Sequence, residues 1–190
     1  MLHCLLSTGP PGPSGSLLPV GSAGMAATTE TTTETRTYRI WQHLSRYPGG
    51  RLVFSAAAAV RVPFFATVLP HIVRMEPGYA EVSIRKWPLT YNHLRTVHAI
   101  AMCNAAEVAM GMLMEATVPT THRWIPKAME VQYLHKATTA LRACARIDPP
   151  DFDGITDGAD VLVGVSVYDR FGTEVVRAAI TTWVTRSHSS

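Results

Sequence analysis

The sequence predicts an α+β domain in which an antiparallel β-sheet wraps one long central helix, with extra helices on its N-terminal side. Three observations carry this. A run of small and apolar residues from Val97 to Ala116 has helical composition throughout. Four alternating apolar segments follow it, linked by turns, which makes them antiparallel neighbours. One further alternating segment precedes it.

Taken in order, residues 1–36 stand apart from the rest. "STGPPGPSGSLLPVGSAG" is rich in Gly, Pro and Ser, and "TTETTTET" is polar and repetitive. Neither buries enough apolar surface to offset the entropy of ordering, so a disordered tail is expected there. A helical extension follows over 37–75. "TYRIWQHLSRYPGG" reads as a short helix stopped by Pro48 and Gly49. "RLVFSAAAAVRVPFFATVLPHIVRM" reads as two helical pieces divided at Pro63. Arg61, Pro63, Pro70 and Arg74 interrupt its apolar run, which argues against a membrane span but leaves room for contact with a lipid surface or greasy ligand.

The sheet domain is expected over 76–187. "YAEVSIRKW" alternates as a strand before the helix. After it, Lys127 to His135 sets Met129, Val131 and Tyr133 on one face. Thr139 to Ile147 does the same with Leu141, Ala143, Ala145 and Ile147. Val161, Val163, Val165 and Val167 mark a third strand, and Val176, Ala178, Ile180 and Val184 a fourth. "DRFG" (Asp169 to Gly172) is a hairpin signal between these last two. The small residues Ala99, Ala101, Ala105, Ala106, Ala109 and Gly111 permit close packing all round the helix, so a sheet must cover it. That arrangement is the hotdog fold.

Composition narrows the function. Net charge is +3, and the basic residues form no run longer than Arg85-Lys86, so no nucleic-acid footprint is present. The three cysteines, Cys4, Cys103 and Cys144, lack a CxxC spacing and point to a reducing, cytoplasmic setting with packing roles. The eight histidines show no metal-ligand spacing, so no metal or other cofactor is expected.

The helix carries the candidate chemistry. Glu107 is a carboxylate in the middle of an apolar run, where it must be paired or used. A structural role, bonded to backbone or to an Arg, is one reading; general base or nucleophile is the other. The first N–H groups of the helix, near Ala99 and Ile100, suit a developing oxyanion. Asn92 has the chemistry to orient water or substrate, or to shape a turn. His98 and Glu107 are separated by roughly 13.5 Å and half a turn on a straight helix. One chain therefore cannot bring them to one site, whereas a two-fold dimer can.

"NHLRTVHAIAMCNAAE" resembles the signature of hotdog-fold acyl-CoA thioesterases of the phenylacetate-pathway type: an Asn, a His-Gly-Gly six residues on, and an acid nine residues after the His. Asn92, His98 and Glu107 fall at those spacings. "RWIPKAMEVQYLHKA" is similar to the strand that follows the helix in that family, and the likeness spans about Pro63 to Arg186. It is strongest to an uncharacterised bacterial branch, filed as a domain of unknown function, whose members begin with extra helices. The resemblance implies that Glu107 activates water or attacks the thioester, that Asn92 acts from the facing subunit, and that the N–H of Ala99 meets the carbonyl oxygen. It implies a homodimer or dimer of dimers, with acyl-CoA or a similar thioester as substrate. Ala99 and Ile100 replace the family's two glycines, which gives a non-catalytic acyl-CoA or lipid binder as the alternative. A hotdog dehydratase ranks last, because its Pro- and Gly-rich motif is missing. Arg95, Lys127, Lys136 and Arg142 are candidate phosphate partners for CoA.

Overall fold

The computed structural model describes residues 34–187. The tail expected over 1–36 lies almost wholly outside them. The elements run α1 (Arg36–Leu44), α2 (Gly50–Arg61), a 3-10 helix (Pro63–Thr67), β1 (His71–Glu76), β2 (Tyr79–Ile84), α3 (Ala99–Thr117), β3 (His122–Tyr133), β4 (Leu141–Arg146), β5 (Ala159–Asp169) and β6 (Glu174–Arg186). The strands form one sheet in the order β1-β2-β4-β5-β6-β3, and neighbours are antiparallel throughout. The sheet curls around α3, and β3 forms one of its two edges. This is the hotdog architecture that the sequence predicts.

Alternation explains the core. Val161, Val163, Val165 and Val167 of β5 are buried, as are Val176, Ala178, Ile180 and Val184 of β6. Leu141, Ala143 and Ala145 of β4 and Ala80, Val82 and Ile84 of β2 complete the inner face. Twelve of the nineteen α3 residues are buried against it. That helix is long and apolar enough to cross a membrane, yet its burial under the sheet marks it as the core. Thr182 faces the core among these apolar residues and is tolerated because its hydroxyl donates to the Val161 carbonyl at 3.0 Å. The β5–β6 hairpin closes as "DRFG" requires. Asp169 Oδ1 accepts from the N–H groups of Phe171 and Thr173, and Gly172 takes a φ of +86°.

The N-terminal helices pack on β1. Thr35 caps α1 by accepting from Tyr38 N–H at 3.1 Å. Trp41 and Phe54 meet edge-on at 5.2 Å and join α1 to α2. Gly50 is a steric requirement: a Cβ there would run into the Leu44 carbonyl, so α2 starts hard against the end of α1.

One expectation is corrected. The second helical piece after Pro63 is a short 3-10 helix followed by β1, so the sheet begins at His71, ahead of residue 76. Pro63 starts the turn, Pro70 has no N–H to continue a helix, and "HIVRME" carries the β-branched pair that suits a strand. The central helix begins at Ala99, where its first N–H groups are expected, two residues into the apolar run. Val97 is held in a bridge to Tyr91, and its N–H donates to the Ala137 carbonyl at 2.7 Å.

One hydroxyl carries the hydrogen bonding between α2 and β1. Ser55 Oγ, buried, donates to the Arg51 carbonyl at 2.7 Å and accepts from the Ile72 N–H at 2.9 Å. Ser55→Ala strands that buried N–H and is expected to lower stability by about 1–3 kcal/mol. Urea unfolding at equilibrium reads this, and an unchanged midpoint would show that the N–H finds another partner.

Candidate active site

The site is built from α3, the loop before it and the edge strand after it. Ile100, Cys103, Glu107 and Gly111 repeat every three or four residues and share one line along the helix. This is the line the sheet covers least. Ile100 is 57% exposed, and Cys103 and Glu107 are half-buried, while their neighbours on other faces are buried. β3 faces this line with Trp124, Met129, Val131 and Tyr133, the positions paired with buried β6 residues. Trp124 packs over Gly111, where a Cβ would stand 3.6 Å from the indole. Cys103 Sγ lies 3.2 Å from Tyr133 Oη. Glu107 sits one turn from each of these contacts, between them, beside the open edge of the sheet.

Within the described residues, Glu107 has no hydrogen-bond or ion-pair partner. The structural reading of a carboxylate bonded to backbone or Arg therefore finds no partner among the described residues. Its partial exposure keeps the charge within reach of water.

Asn92 and His98 belong to the loop that leads into α3. Asn92 Oδ1 accepts from Leu94 N–H at 3.0 Å, Thr96 N–H at 3.3 Å and Thr96 Oγ1 at 3.1 Å. Its carbonyl oxygen thus organises the turn, and its amide NH2 is the group left for other work. His98 is the N-cap of α3: its Nδ1 accepts from Ile100 N–H at 3.1 Å. That bond requires an unprotonated Nδ1 and uses up the Ile100 N–H. Ala99 N–H has no acceptor among the described residues, so the helix-start donor narrows from two groups to one. The structure brings Asn92, His98 and Ala99 to one end and leaves Glu107 about nine residues' rise down the helix.

The candidate phosphate partners separate. Arg95 is exposed at the loop tip, with its guanidinium 5.6 Å from the Tyr91 ring centre. Lys136 is exposed beyond β3. Lys127 is paired with Asp160 at 2.8 Å. Arg142 points away from α3, since its β4 neighbours Leu141 and Ala143 face the core, and it borders a cleft of about 700 Å³ on the outer face with Arg146 and Arg177. Arg142 is therefore not a partner for a site at the helix start.

Sequence reasoning missed Cys103 and Tyr133. Cys103 reads as packing, yet its four-residue spacing from Glu107 is the signal that places both on one face. Its partner on β3 is not visible from spacing, because alternation gives Tyr133 a face of the sheet but not the helix residue it meets. Asn104, one position on, donates from Nδ2 to Thr67 Oγ1 at 3.2 Å and ties α3 to the 3-10 helix, while its buried Oδ1 has no partner among the described residues.

A single open helix line inside a curled antiparallel sheet defines a hotdog protein with its candidate groups at the sheet edge. Residues 50–184 match the family described as Domain of unknown function (DUF4442), and the chain belongs to that family. A protein solved as a genomics target is 38% identical, superposes with a TM-score of 0.69, and the match covers 80% of this chain and 98% of that one. A Pseudomonas aeruginosa protein of unknown function, described as a probable thioesterase, is 21% identical with a TM-score of 0.62, covering 68% of this chain and 91% of that one. A thioesterase from Staphylococcus aureus is 14% identical with a TM-score of 0.57, covering 65% and 98%. These last two share the fold. No curated protein matches the sequence.

The hydrogen bond with Cys103, and then burial, pushes the Tyr133 hydroxyl up to about 12. A raised value means the neutral phenol is favoured in the folded chain. Its contribution is fully present below the unfolded value of ~10 and is lost as pH rises through the folded one. Cys103→Ala is expected to bring Tyr133 back toward ~10, read by an NMR titration of isotope-labelled tyrosine. An unmoved Tyr133 would exclude the thiol as its partner.

Proposed function

We propose that the chain hydrolyses an acyl thioester, acyl-CoA or a related thiol ester, at a site completed by a second copy of itself. The observation that carries this is the half-buried Glu107, without a partner among the described residues, on the one open line of an otherwise buried helix, beside the edge strand β3. An edge of twelve residues presents unpaired backbone groups that another copy can meet. A two-fold arrangement supplies what one chain lacks, the loop end of one helix near the middle of the other.

In this reading the Glu107 carboxylate takes a proton from water while the water oxygen bonds to the thioester carbon. The carbonyl oxygen becomes an oxyanion, held by Ala99 N–H of the facing copy at the positive end of its helix. The C–S bond then breaks, and the thiolate leaves with the proton that Glu107 had taken. Asn92 NH2 of the facing copy orients water or substrate, and His98 fixes the helix start by capping it. Several solved proteins of this fold are described as thioesterases, which supports the reaction class.

One observation favours non-catalytic acyl-CoA binding instead. Ile100 projects at the mouth of the site, where glycine would leave room. A thiol-release screen across acyl-CoAs, from acetyl to palmitoyl, separates the readings. Hydrolysis predicts release from at least one member and a loss of about a hundredfold or more in Glu107→Gln, with an unchanged unfolding midpoint. Saturable binding with no release, unaffected by Glu107→Gln, would establish the binder and reject the hydrolase.

A further inference from the structure

Charge is distributed unevenly along this chain. Between Thr35 and Arg74 there are six arginines and no Asp, Glu or Lys, although the whole chain carries only +3. The remainder is therefore net acidic. Arg74 is paired with Glu76. The other five, Arg36, Arg39, Arg46, Arg51 and Arg61, are exposed and have no carboxylate partner among the described residues.

The same helices expose apolar surface that a chain in water should cover. Phe54 and Ser55 turn one side of α2 to the core. On the opposite side Leu52, Val53, Ala56, Ala57 and Val60 fall within about 140° of the helix circumference. Val60 is 80% exposed and Leu52 66%. The stripe continues past Arg61 onto the 3-10 helix, where Phe64 is 60% exposed. Patches of this kind mark an interaction site.

We propose that the α1–α2 unit docks on an anionic lipid bilayer, with the α2 stripe and Phe64 in the headgroup–acyl boundary and the exposed arginines at its margin, Arg61 first, on the lipid phosphates. Charge complementarity selects this occupant. A second copy would bring the same uncompensated arginines against each other, whereas an anionic surface neutralises them. Arginine beside an apolar helix face is the composition of an interfacial helix. The patch also adjoins the candidate active site, because the Phe64 carbonyl and Thr67 hydroxyl bond to Asn104, the α3 residue next to Cys103. Acyl chains partitioned in the bilayer would meet the protein at that end. Docking stands on the charge and the exposed stripe alone, so it holds or fails apart from the hydrolase reading.

The test is flotation of the full chain with vesicles of phosphatidylcholine alone, or of phosphatidylcholine mixed with phosphatidylserine. The wild type is expected to float with the mixed vesicles at least about tenfold more strongly than with neutral ones, and to be released by added salt. Val60→Glu, at a position too exposed to disturb the fold, is expected to lose about tenfold of that binding, and Arg61→Glu about threefold. Circular dichroism confirms that both variants fold. No flotation of the wild type, or flotation of both variants equal to it, would overturn the proposal. A wild type that ignores vesicles while Val60→Glu lowers its mass by light scattering would assign the face to contact between copies instead.

Discussion

Everything in this molecule follows from burying one helix. α3 carries small and apolar residues around nearly its whole circumference, so no single flat layer can cover it. A sheet can do so only by curling, and six antiparallel strands with valines on the concave face are the means. The curl stops at β3, which leaves one line of the helix beside an open sheet edge. Glu107 lies on that line. In its middle turns α3 tolerates a carboxylate only where the sheet does not close; its other one, Glu115, lies in the half-buried last turn.

The same constraint fixes what the helix ends can do. A helix packed this tightly is a rigid rod, so the distance from its capped start to Glu107 is set by its rise and not by side-chain reach. His98 spends its Nδ1, and the Ile100 N–H, on holding that start in place. Asn92 spends its carbonyl oxygen on the turn that delivers the chain to it. What remains for chemistry is smaller and better defined than the motif alone implies: the Ala99 N–H, the Asn92 amide NH2 and the Glu107 carboxylate. The proposed pairing of two copies brings these groups together.

Much of this was legible in the sequence, and the rest was hidden for physical reasons. Alternation of Val161 to Val167 and of Val176 to Ile180 defines β5 and β6 because each faces the core on one side only. The composition of α3 defines it because small residues at every angle demand an all-round cover. β1 was not legible, since "HIVRME" directly continues a helical apolar run and only Pro70 marks the change. The Cys103–Tyr133 contact joins a helix to a strand far along the chain, a pairing that periodicity within either element cannot reveal. The arginine-rich, acid-free stretch of α1 and α2 was visible as letters, but its meaning needed the exposed stripe beside it.

The direct test of a site shared between two copies is subunit mixing. Glu107→Gln removes the carboxylate, while Asn92→Asp keeps the oxygen that the turn needs and removes the amide NH2. Each variant alone should be inactive in thiol release. If each site draws Glu107 from one copy and Asn92 from the other, an equal mixture after subunit exchange should regain about a quarter of wild-type activity, since half the dimers are mixed and each then holds one intact site. No recovery in a mixture shown to have exchanged subunits would contradict the shared site.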